Sequence, residues 1–321
     1  MTGQHSETLF KVKSPVSDAP IIALQSIFRH TAYHESQKDS NMAKRRVGVQ
    51  MKHLTEIIRV VFFWTLLTSP VPIWSFRIWA SDTATLSFDQ THSVWTHILK
   101  NNVVIEGSRS RVNYSAIKKN LSDLKKYLRT IQSVSKEEFS RFNEKERLSF
   151  LTNAYNALTV KVITDHYPTK SIRDIGGLFS NSWKIKFFTL FGEGHSLDDI
   201  EHEMIRKSFN EPRTHFALVC ASKGCPALRS EAYIAQRFEE QLENATHTFL
   251  RDPSRNRFDS KANTLYLSSI FKWYGPDFLK KFGSVKAFVA PRIVQDQAEM
   301  AAIQSDRTKI EYLSYDWSLN E

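Results

Sequence analysis

Apolar positions recur at helical spacing through much of the chain beyond residue 85. Between residues 115 and 132 they return every three or four positions, which predicts an amphipathic helix with its lysines facing solvent. Ser135 followed by Glu138 is a capping-box pattern and predicts the start of the next helix. Residues 147–166 are apolar almost all round, and a helix of this kind is buried. The pattern therefore predicts helices packed around one buried helix.

Two polar residues interrupt that buried helix. Asn153 and Asn156 lie within about 60° of each other at 3.6 residues per turn. A buried amide needs hydrogen-bond partners, so the pair either holds a neighbouring loop or lines a pocket. The sequence alone leaves both interpretations open.

Extended segments and further helices complete the pattern. Residues 183–191 alternate well enough for a strand that ends at a turn over residues 192–194. Ser196 and Asp199 form a second capping-box pattern, which begins a helix over residues 196–209. The remaining predicted elements are a helix over 230–250, short helices over 270–274, 277–282 and 285–290, and strands over 264–267 and 310–315. Together they predict a single mixed α+β domain, rich in helix and with a small sheet.

The only two cysteines lie within residues 213–226, which read RTHFALVCASKGCP. Residues 216–220 are typical of a buried strand that leads into a polar turn, and Gly224 relaxes the backbone there. Pro226 suits the first position of a following helix. The positive end of such a helix would favour a thiolate at Cys225.

Composition and charge are those of an ordinary globular protein. Of the 321 residues, 41% are hydrophobic and 24% are charged. The net charge is +10, but residues 1–80 hold 10 Lys and Arg against 5 Asp and Glu, so half of the excess lies there. The other basic residues are dispersed along amphipathic helices and form no stripe. We therefore expect no nucleic-acid partner.

The first 80 residues differ from the rest of the chain. Residues 1–50 show no sustained period, and we interpret them as a poorly ordered extension that is either misassigned or dispensable. Within residues 51–80, a basic segment precedes a short apolar run, which is typical of a secretory signal or a membrane anchor. We expect a mature domain over residues 81–321, located in the periplasm or outside the cell. The alternative is a membrane-anchored protein, with membrane contact only through an uncleaved segment.

Five stretches together resemble one protein family, the domain of unknown function 547 (DUF547). In chain order they read FLTNAYNALTV, SLDDIEHEMIR, PRTHFALVCASKGCPALRSEAY, LSSIFKWYGPDF and YDWSLN. The likeness extends over nearly all of residues 90–320. Because the family has no settled activity, the resemblance implies no reaction. The positions that match its motifs are Asn153, Asn156, Glu201, His202, Arg206, Arg213, His215, Cys220, Ser222, Gly224, Cys225 and Pro226.

One hypothesis for these residues is an enzyme, a hydrolase or transferase with a cysteine nucleophile. Cys220 or Cys225 would need a base, and His202 or His215 could supply it. Glu201, Asn153 or Asn156 could act as the orienting group. Strict alternation along a strand would turn His215 and Cys220 to opposite faces, which favours His202.

Other hypotheses are a disulfide and a ligand-binding module. Two cysteines five residues apart in an exported chain could form a disulfide, either structural or redox-active. Cations and backbone amides near Cys225 could instead hold an anionic ligand at a helix N-terminus. The candidate substrate-binding residues are Asn153, Asn156, Arg206, Arg213 and Ser222.

The sequence predicts neither a cofactor nor a metal. No phosphate-loop or paired-glycine pattern is present, and the cysteine and histidine spacing fits no familiar zinc pattern. The aromatic residues Trp183, Trp273, Tyr274 and Trp317 either line a groove or belong to the core. The expected partner is a small molecule or a peptide.

Overall fold

The computed structural model describes residues 87–176 and 182–321. All of them lie in one of the chain's two compact units, Ala84–Glu321. The predictions for residues 1–50 and 51–80 lie outside the described residues. Within the described part, no helix is both long enough and apolar enough to cross a membrane.

The domain combines helices with small sheets, which confirms the predicted α+β class. The α-helices are α1 (Ser93–Asn102), α2 (Tyr114–Lys119), α3 (Ser122–Ser133), α4 (Lys136–Arg141), α5 (Glu144–His166), α6 (Phe238–Leu250), α7 (Ile270–Phe282), α8 (Val285–Ile293) and α9 (Gln297–Gln304). The strands are β1 (Val103–Glu106), β2 (Arg109–Val112), β3 (Phe188–Leu190), β4 (Glu193–His195), β5 (Arg257–Asp259), β6 (Thr264–Ser268) and β7 (Lys309–Leu313). Strands β1 and β2 pair, β3 and β4 pair, and β5, β6 and β7 form a sheet in which β6 and β7 run parallel.

Helix α5 is the buried helix that the sequence predicts. It begins at Glu144 because Asn143 and Glu146 form a capping box, in which each side chain accepts the backbone N–H of the other residue. Helices α2 and α3 pack against α5, as does a π-helix, Asp199–Arg206, that follows β4. Its apolar residues lie at the centre of the larger of two hydrophobic cores.

The single helix predicted over residues 115–132 is two helices, α2 and α3. Asn120 leaves the helical conformation at φ −131° and ψ 75°, and its side chain accepts a hydrogen bond from the Ser122 hydroxyl. An asparagine that bonds locally in this way competes with helical hydrogen bonding. The apolar period continues across the break because both helices pack on α5, so the period could not reveal it.

The strand predictions are confirmed in part. Strands β6 and β7 occupy the predicted positions, and β3 occupies only the end of residues 183–191. A 3₁₀ turn, Ser182–Lys184, precedes β3. Phe191 and Gly192 both have positive φ, which gives the tight two-residue connection from β3 to β4.

The prediction of a strand over residues 216–220 is wrong. A 3₁₀ helix, Pro212–Phe216, occupies the start, and the rest is irregular. The Asn156 side chain bonds to this backbone, donating to the Ala217 carbonyl at 3.0 Å and accepting from the Val219 N–H at 2.9 Å. A side chain of α5 thus supplies the hydrogen bonds that a neighbouring strand would otherwise provide.

The helix predicted at Pro226 is also wrong. The next helical turn is Ala235–Arg237, which leads into α6. Cys225 therefore has no helix N-terminus beside it, and the expected helix-end potential for a thiolate or an anion is absent at that position.

Two further differences concern the C-terminal helices. The two short helices predicted over residues 270–282 are one helix, α7, which contains Pro276, and α9 was not predicted. The second core holds Phe216, Phe271, Phe278 and Phe288. Phe278, two residues after Pro276, packs there against the rings of Phe216 and Phe288. This packing keeps α7 continuous despite the proline.

Candidate functional site

The cysteine turn borders a cavity of about 510 Å³. Its walls combine aromatic, charged and sulfur-bearing side chains. They include Tyr155, Arg173, Trp183, Asp198, Glu201, His202, His215, Cys220, Cys225, Trp273, Tyr274, Tyr315 and Trp317. Of the two interpretations of the aromatic residues, the structure selects the groove for Trp183, Trp273, Tyr274 and Trp317.

Cys220 and Cys225 lie with their sulfurs at disulfide-bonding distance and their Cα atoms 6.2 Å apart. Cys220 is half-buried, and Cys225 is 5% exposed. The C-terminal segment supports the turn between them, since Lys223 N–H donates to the Ser318 carbonyl and Gly224 N–H donates to the Asp316 carbonyl, both at 2.8 Å. The chain thus presents the sulfur pair on a braced turn.

Hydrogen-bond donors surround the sulfur of Cys225. The Cys220 backbone N–H lies 2.9 Å from it, and the Tyr315 hydroxyl lies 3.2 Å away. Burial raises the pKa of Tyr315, so its hydroxyl stays protonated and can donate. Ser222, also buried, places its hydroxyl 3.2 Å from the Cys220 sulfur. Donors of this kind stabilise a thiolate when the disulfide opens.

Gly224 allows Tyr315 to reach the sulfurs. A Cβ at this position would lie 2.8 to 2.9 Å from carbon atoms of the Tyr315 ring. The close approach therefore requires a residue without a side chain.

A second cluster centres on His215. Its Nε2 lies 2.8 Å from Asp277 Oδ2. Burial raises the pKa of Asp277, but hydrogen bonds from His215 and Arg206 outweigh that effect and hold it below its ordinary value. The ionised carboxylate can only accept, so His215 Nε2 carries a proton and donates. His215 Nδ1 is buried without a partner, and the Tyr274 ring stacks on the imidazole at 3.8 Å.

Glu201 and His202 lie on a π-helix, Asp199–Arg206, that begins at the predicted capping box of Ser196. The sequence indicates that they could not both face one target squarely. Both line the cavity, but they have different partners. Glu201 is buried and accepts a 2.5 Å hydrogen bond from the Tyr274 hydroxyl, whereas His202 is half-buried with its Nδ1 2.9 Å from Arg206 Nη1.

The structure also brings His215 and Cys220 to the same cavity. Their predicted placement on opposite faces depended on the strand over residues 216–220 and is wrong for that reason. Strand alternation therefore gives no preference for His202 over His215 as the base.

Several predicted binding residues lie outside the cavity lining. Asn153 holds Tyr233, donating to its carbonyl at 2.7 Å and accepting from its N–H at 3.0 Å, and Asn156 holds residues 217–219. Arg206 bonds Asp277 with two nitrogens, at 2.7 and 2.9 Å, and Arg213 bonds carboxylates of α6. The asparagines therefore brace the site, and both guanidinium groups already have anionic partners.

Two important residues were missed by sequence reasoning, namely Asp277 and Tyr315. Both lie in segments that carry the family resemblance, LSSIFKWYGPDF and YDWSLN. Both residues are far from the cysteines along the chain, so no spacing pattern in the sequence connects them with the cysteine turn. Among the described residues, no group of three or more His, Cys, Asp or Glu side chains could hold a metal ion.

The fold and site define an α+β domain with a cysteine pair in a polar and aromatic cavity. Residues 139–250 match the model of a family described as "Protein of unknown function, DUF547". The predicted resemblance to this family is confirmed over those residues, which include α5, the π-helix and the cysteine turn. No curated protein and no solved structure matches the chain.

Proposed function

We propose that this protein exchanges thiols and disulfides with a small molecule or peptide that binds in the cavity. The observation that carries the proposal is the position of the Cys220–Cys225 pair in a cavity wall, with the Cys220 N–H and the Tyr315 hydroxyl beside the Cys225 sulfur. A purely structural disulfide needs neither a cavity nor donors for a leaving thiolate. Both features favour a pair that opens.

The two sulfurs have different roles in the proposed exchange. Cys220 is half-buried and is the more exposed of the two cysteines, so a substrate thiolate attacks its sulfur and forms a mixed disulfide. The Cys220–Cys225 bond breaks, and Cys225 leaves as a thiolate beside Tyr315 and the Cys220 N–H. A lower pKa of the leaving thiol speeds this step, which is the chemical reason for the surrounding donors.

A second substrate thiolate completes the reaction. It attacks the substrate sulfur of the mixed disulfide and releases Cys220 as a thiolate. The substrate dithiol becomes a disulfide, and the cysteine pair gains the two electrons and takes up the two protons that the substrate thiols lose. A low-molecular-weight disulfide in the surroundings reoxidises the pair by the reverse steps.

The test is reduction of the folded, full chain by dithiothreitol, followed by mass and thiol titration. We expect reduction under native conditions to be much faster than global unfolding measured under the same conditions. In Cys225→Ser, Cys220 should form a stable mixed disulfide with glutathione, whereas the buried Cys225 of Cys220→Ser should react slowly. Reduction only at the rate of unfolding would contradict the proposal and assign a structural role to the pair.

The His215–Asp277 hydrogen bond favours a second candidate function, a cysteine-dependent hydrolase or transferase that acts in the reduced state. Asp277 orients His215, which lines the same cavity as Cys220, and its unpartnered Nδ1 can act as the base. Iodoacetamide labelling of the reduced chain tests this function. Rapid labelling below pH 7 that is lost in His215→Gln would support it, and labelling with an ordinary thiol pH profile would exclude it.

Export remains part of the proposal. A signal or anchor within residues 51–80 would carry the domain to an oxidising compartment, where the pair would be kept oxidised. N-terminal sequencing of the secreted protein checks this point. A mature chain that begins near Ser81 is expected, and a secreted chain that retains Met1 would contradict it.

A further inference from the structure

Glu201 is a buried carboxylate with no arginine or lysine partner among the described residues. The other buried carboxylate in the described part, Asp252, accepts a 2.7 Å hydrogen bond from Arg255. Glu201 instead accepts a hydrogen bond from the Tyr274 hydroxyl, and no arginine or lysine nitrogen in the described residues lies within 4.0 Å of its oxygens. A buried carboxylate is normally paired with a basic group. Glu201 has no arginine or lysine for that role among the described residues.

His215 presents a second unpartnered acceptor beside Glu201. The hydrogen bond to Asp277 selects the tautomer with the proton on Nε2, and in that tautomer Nδ1 carries a lone pair. This Nδ1 lies 4.0 Å from Glu201 Oε1, which is too long for a direct hydrogen bond. One nitrogen with several hydrogens can reach both atoms at about 2.9 Å from each. The geometry therefore matches a single donor group between them.

The charges of the cavity favour a cation as that donor. The formally charged lining residues are Asp198 and Glu201 against Arg173, which is two carboxylates and one guanidinium, a net charge of −1. The chain as a whole carries +10. Arg206 lies close enough to interact with Glu201 electrostatically, but Asp277 binds its guanidinium with both oxygens. The cavity is thus locally acidic in a basic protein.

The same cavity offers apolar surface beside the two acceptors. Trp273 is 43% exposed and lies next to Tyr274 in α7. Indole surface in this position can cover the methylene groups of an alkyl chain and adds attraction for a nearby cation. A primary alkylammonium group combines the required charge, several N–H donors and apolar carbon.

We propose that Glu201 and His215 Nδ1 bind the primary ammonium group of an amine-bearing thiol, which is the substrate that the Cys220–Cys225 pair oxidises. The assignment of this ligand as a substrate rests on the proposed exchange function, but the ammonium site itself does not. The amine can come from a small aminothiol or from a lysine side chain in a cysteine-containing peptide.

The ammonium site is tested separately from the exchange, with the full chain carrying Cys220→Ser and Cys225→Ser. Tryptophan fluorescence reports on the cavity, because Trp183, Trp273 and Trp317 line it. Titration with n-butylamine should give saturable binding at least about tenfold tighter than n-butanol, since hydrogen bonds to charged groups contribute about 1.5–3 kcal/mol. Equal affinities for the amine and the alcohol in this protein would by themselves overturn the inference.

Glu201→Gln in the same background should remove the preference for n-butylamine. Glu203→Gln is the matched control, because Glu203 lies on the same π-helix but is exposed and pairs with Lys207. Preference retained in the Glu201 variant, or lost equally in the control, would contradict the role of Glu201.

Exchange with the unaltered chain then tests whether the amine is on a substrate thiol. At equal thiolate concentration, cysteamine should reduce the disulfide at least about tenfold faster than 2-mercaptoethanol, and Glu201→Gln should abolish the difference. N-acetyl-lysyl-cysteine amide, compared with cysteamine, distinguishes a peptide from a small-molecule source. Amine binding without this rate difference would keep the ammonium site and reject its link to exchange.

Discussion

Arg213 and His215 lie two residues apart on the same 3₁₀ helix, yet their surroundings differ. The Arg213 guanidinium bonds Glu211, Glu239 and Glu243, so its donors meet carboxylates of the protein. His215 bonds Asp277 through one ring nitrogen and leaves the other facing Glu201 without a partner. We refer to these two regions as the Arg213 network and the His215 cluster.

The difference separates a structural role from a binding role. In the Arg213 network, Glu211 also binds Lys281, and Glu243 also binds Arg292, so protein groups neutralise each charge. In the His215 cluster, Glu201 and Nδ1 are both acceptors, and the residues Glu201 and His215 both line the cavity. Polar groups that the protein leaves unsatisfied at a cavity are typical of a site completed by a ligand.

The largest effect is expected from breaking the Arg213 network. Arg213→Met leaves three carboxylates near one another without their common cation, and removal of one partner from a buried ion pair costs about 3–5 kcal/mol. We expect a fall of that size in the free energy of unfolding, measured by urea denaturation. Binding of n-butylamine by the fraction that remains folded should not change, and a loss of less than about 1 kcal/mol would show that the network contributes little.

A pH series should show how much the buried residue His92 contributes to the pH dependence of stability. Burial lowers the pKa of His92 to about 4, with the ring bonded to the Tyr127 hydroxyl. The unfolded chain binds a proton at this residue below about pH 6.5 and the folded chain only near pH 4, so stability falls as pH decreases through that window. The expected loss approaches roughly 3 kcal/mol, at 1.36 kcal/mol per pKa unit.

The measurement is urea denaturation of the chain and of His92→Gln between pH 7 and pH 4. The variant should lose this part of the pH dependence. An identical pH dependence in both proteins would assign the effect to other groups.

Gly224→Ala should disturb the cysteine side of the cavity. The added Cβ would overlap the Tyr315 ring, and overpacking of this kind costs about 1–3 kcal/mol. We expect slower reduction by dithiothreitol as well, because Tyr315 moves away from Cys225. Gly275→Ala is the control for reduction, since a Cβ there meets no atom within 4 Å apart from its chain neighbours, and it should leave the rate of reduction unchanged.

The smallest change in stability is expected from Glu201→Gln, although it removes a buried charge. Glutamine keeps an acceptor for the Tyr274 hydroxyl and relieves an uncompensated carboxylate, so the free energy of unfolding should stay within about 1 kcal/mol or increase. Thermal and urea denaturation measure this outcome. A fall comparable to that of Arg213→Met would show that Glu201 is structural and would remove the contrast between the two regions.

Local chemistry determined the features that the sequence predicts well. The N-cap at Ser135 and the capping box at residues 196–199 act within one helical turn, and the apolar surface of α5 follows directly from its residues. The cysteine pair is likewise close in sequence, so its approach to disulfide distance could be anticipated as one alternative.

Tertiary structure decided the conformation of residues 216–220 and the composition of the site. The apolar run is compatible with a strand. However, the Asn156 side chain, 61 residues away from Ala217, bonds to the backbone of the run, which stays irregular. Asp277 lies 62 residues from His215, and Tyr315 lies 90 residues from Cys225, so no local pattern joins them. The sequence by itself determines elements whose hydrogen bonds close within a few residues. Packing alone decided which distant side chains complete the cysteine turn and the His215 cluster, because those hydrogen bonds form only after the chain has folded.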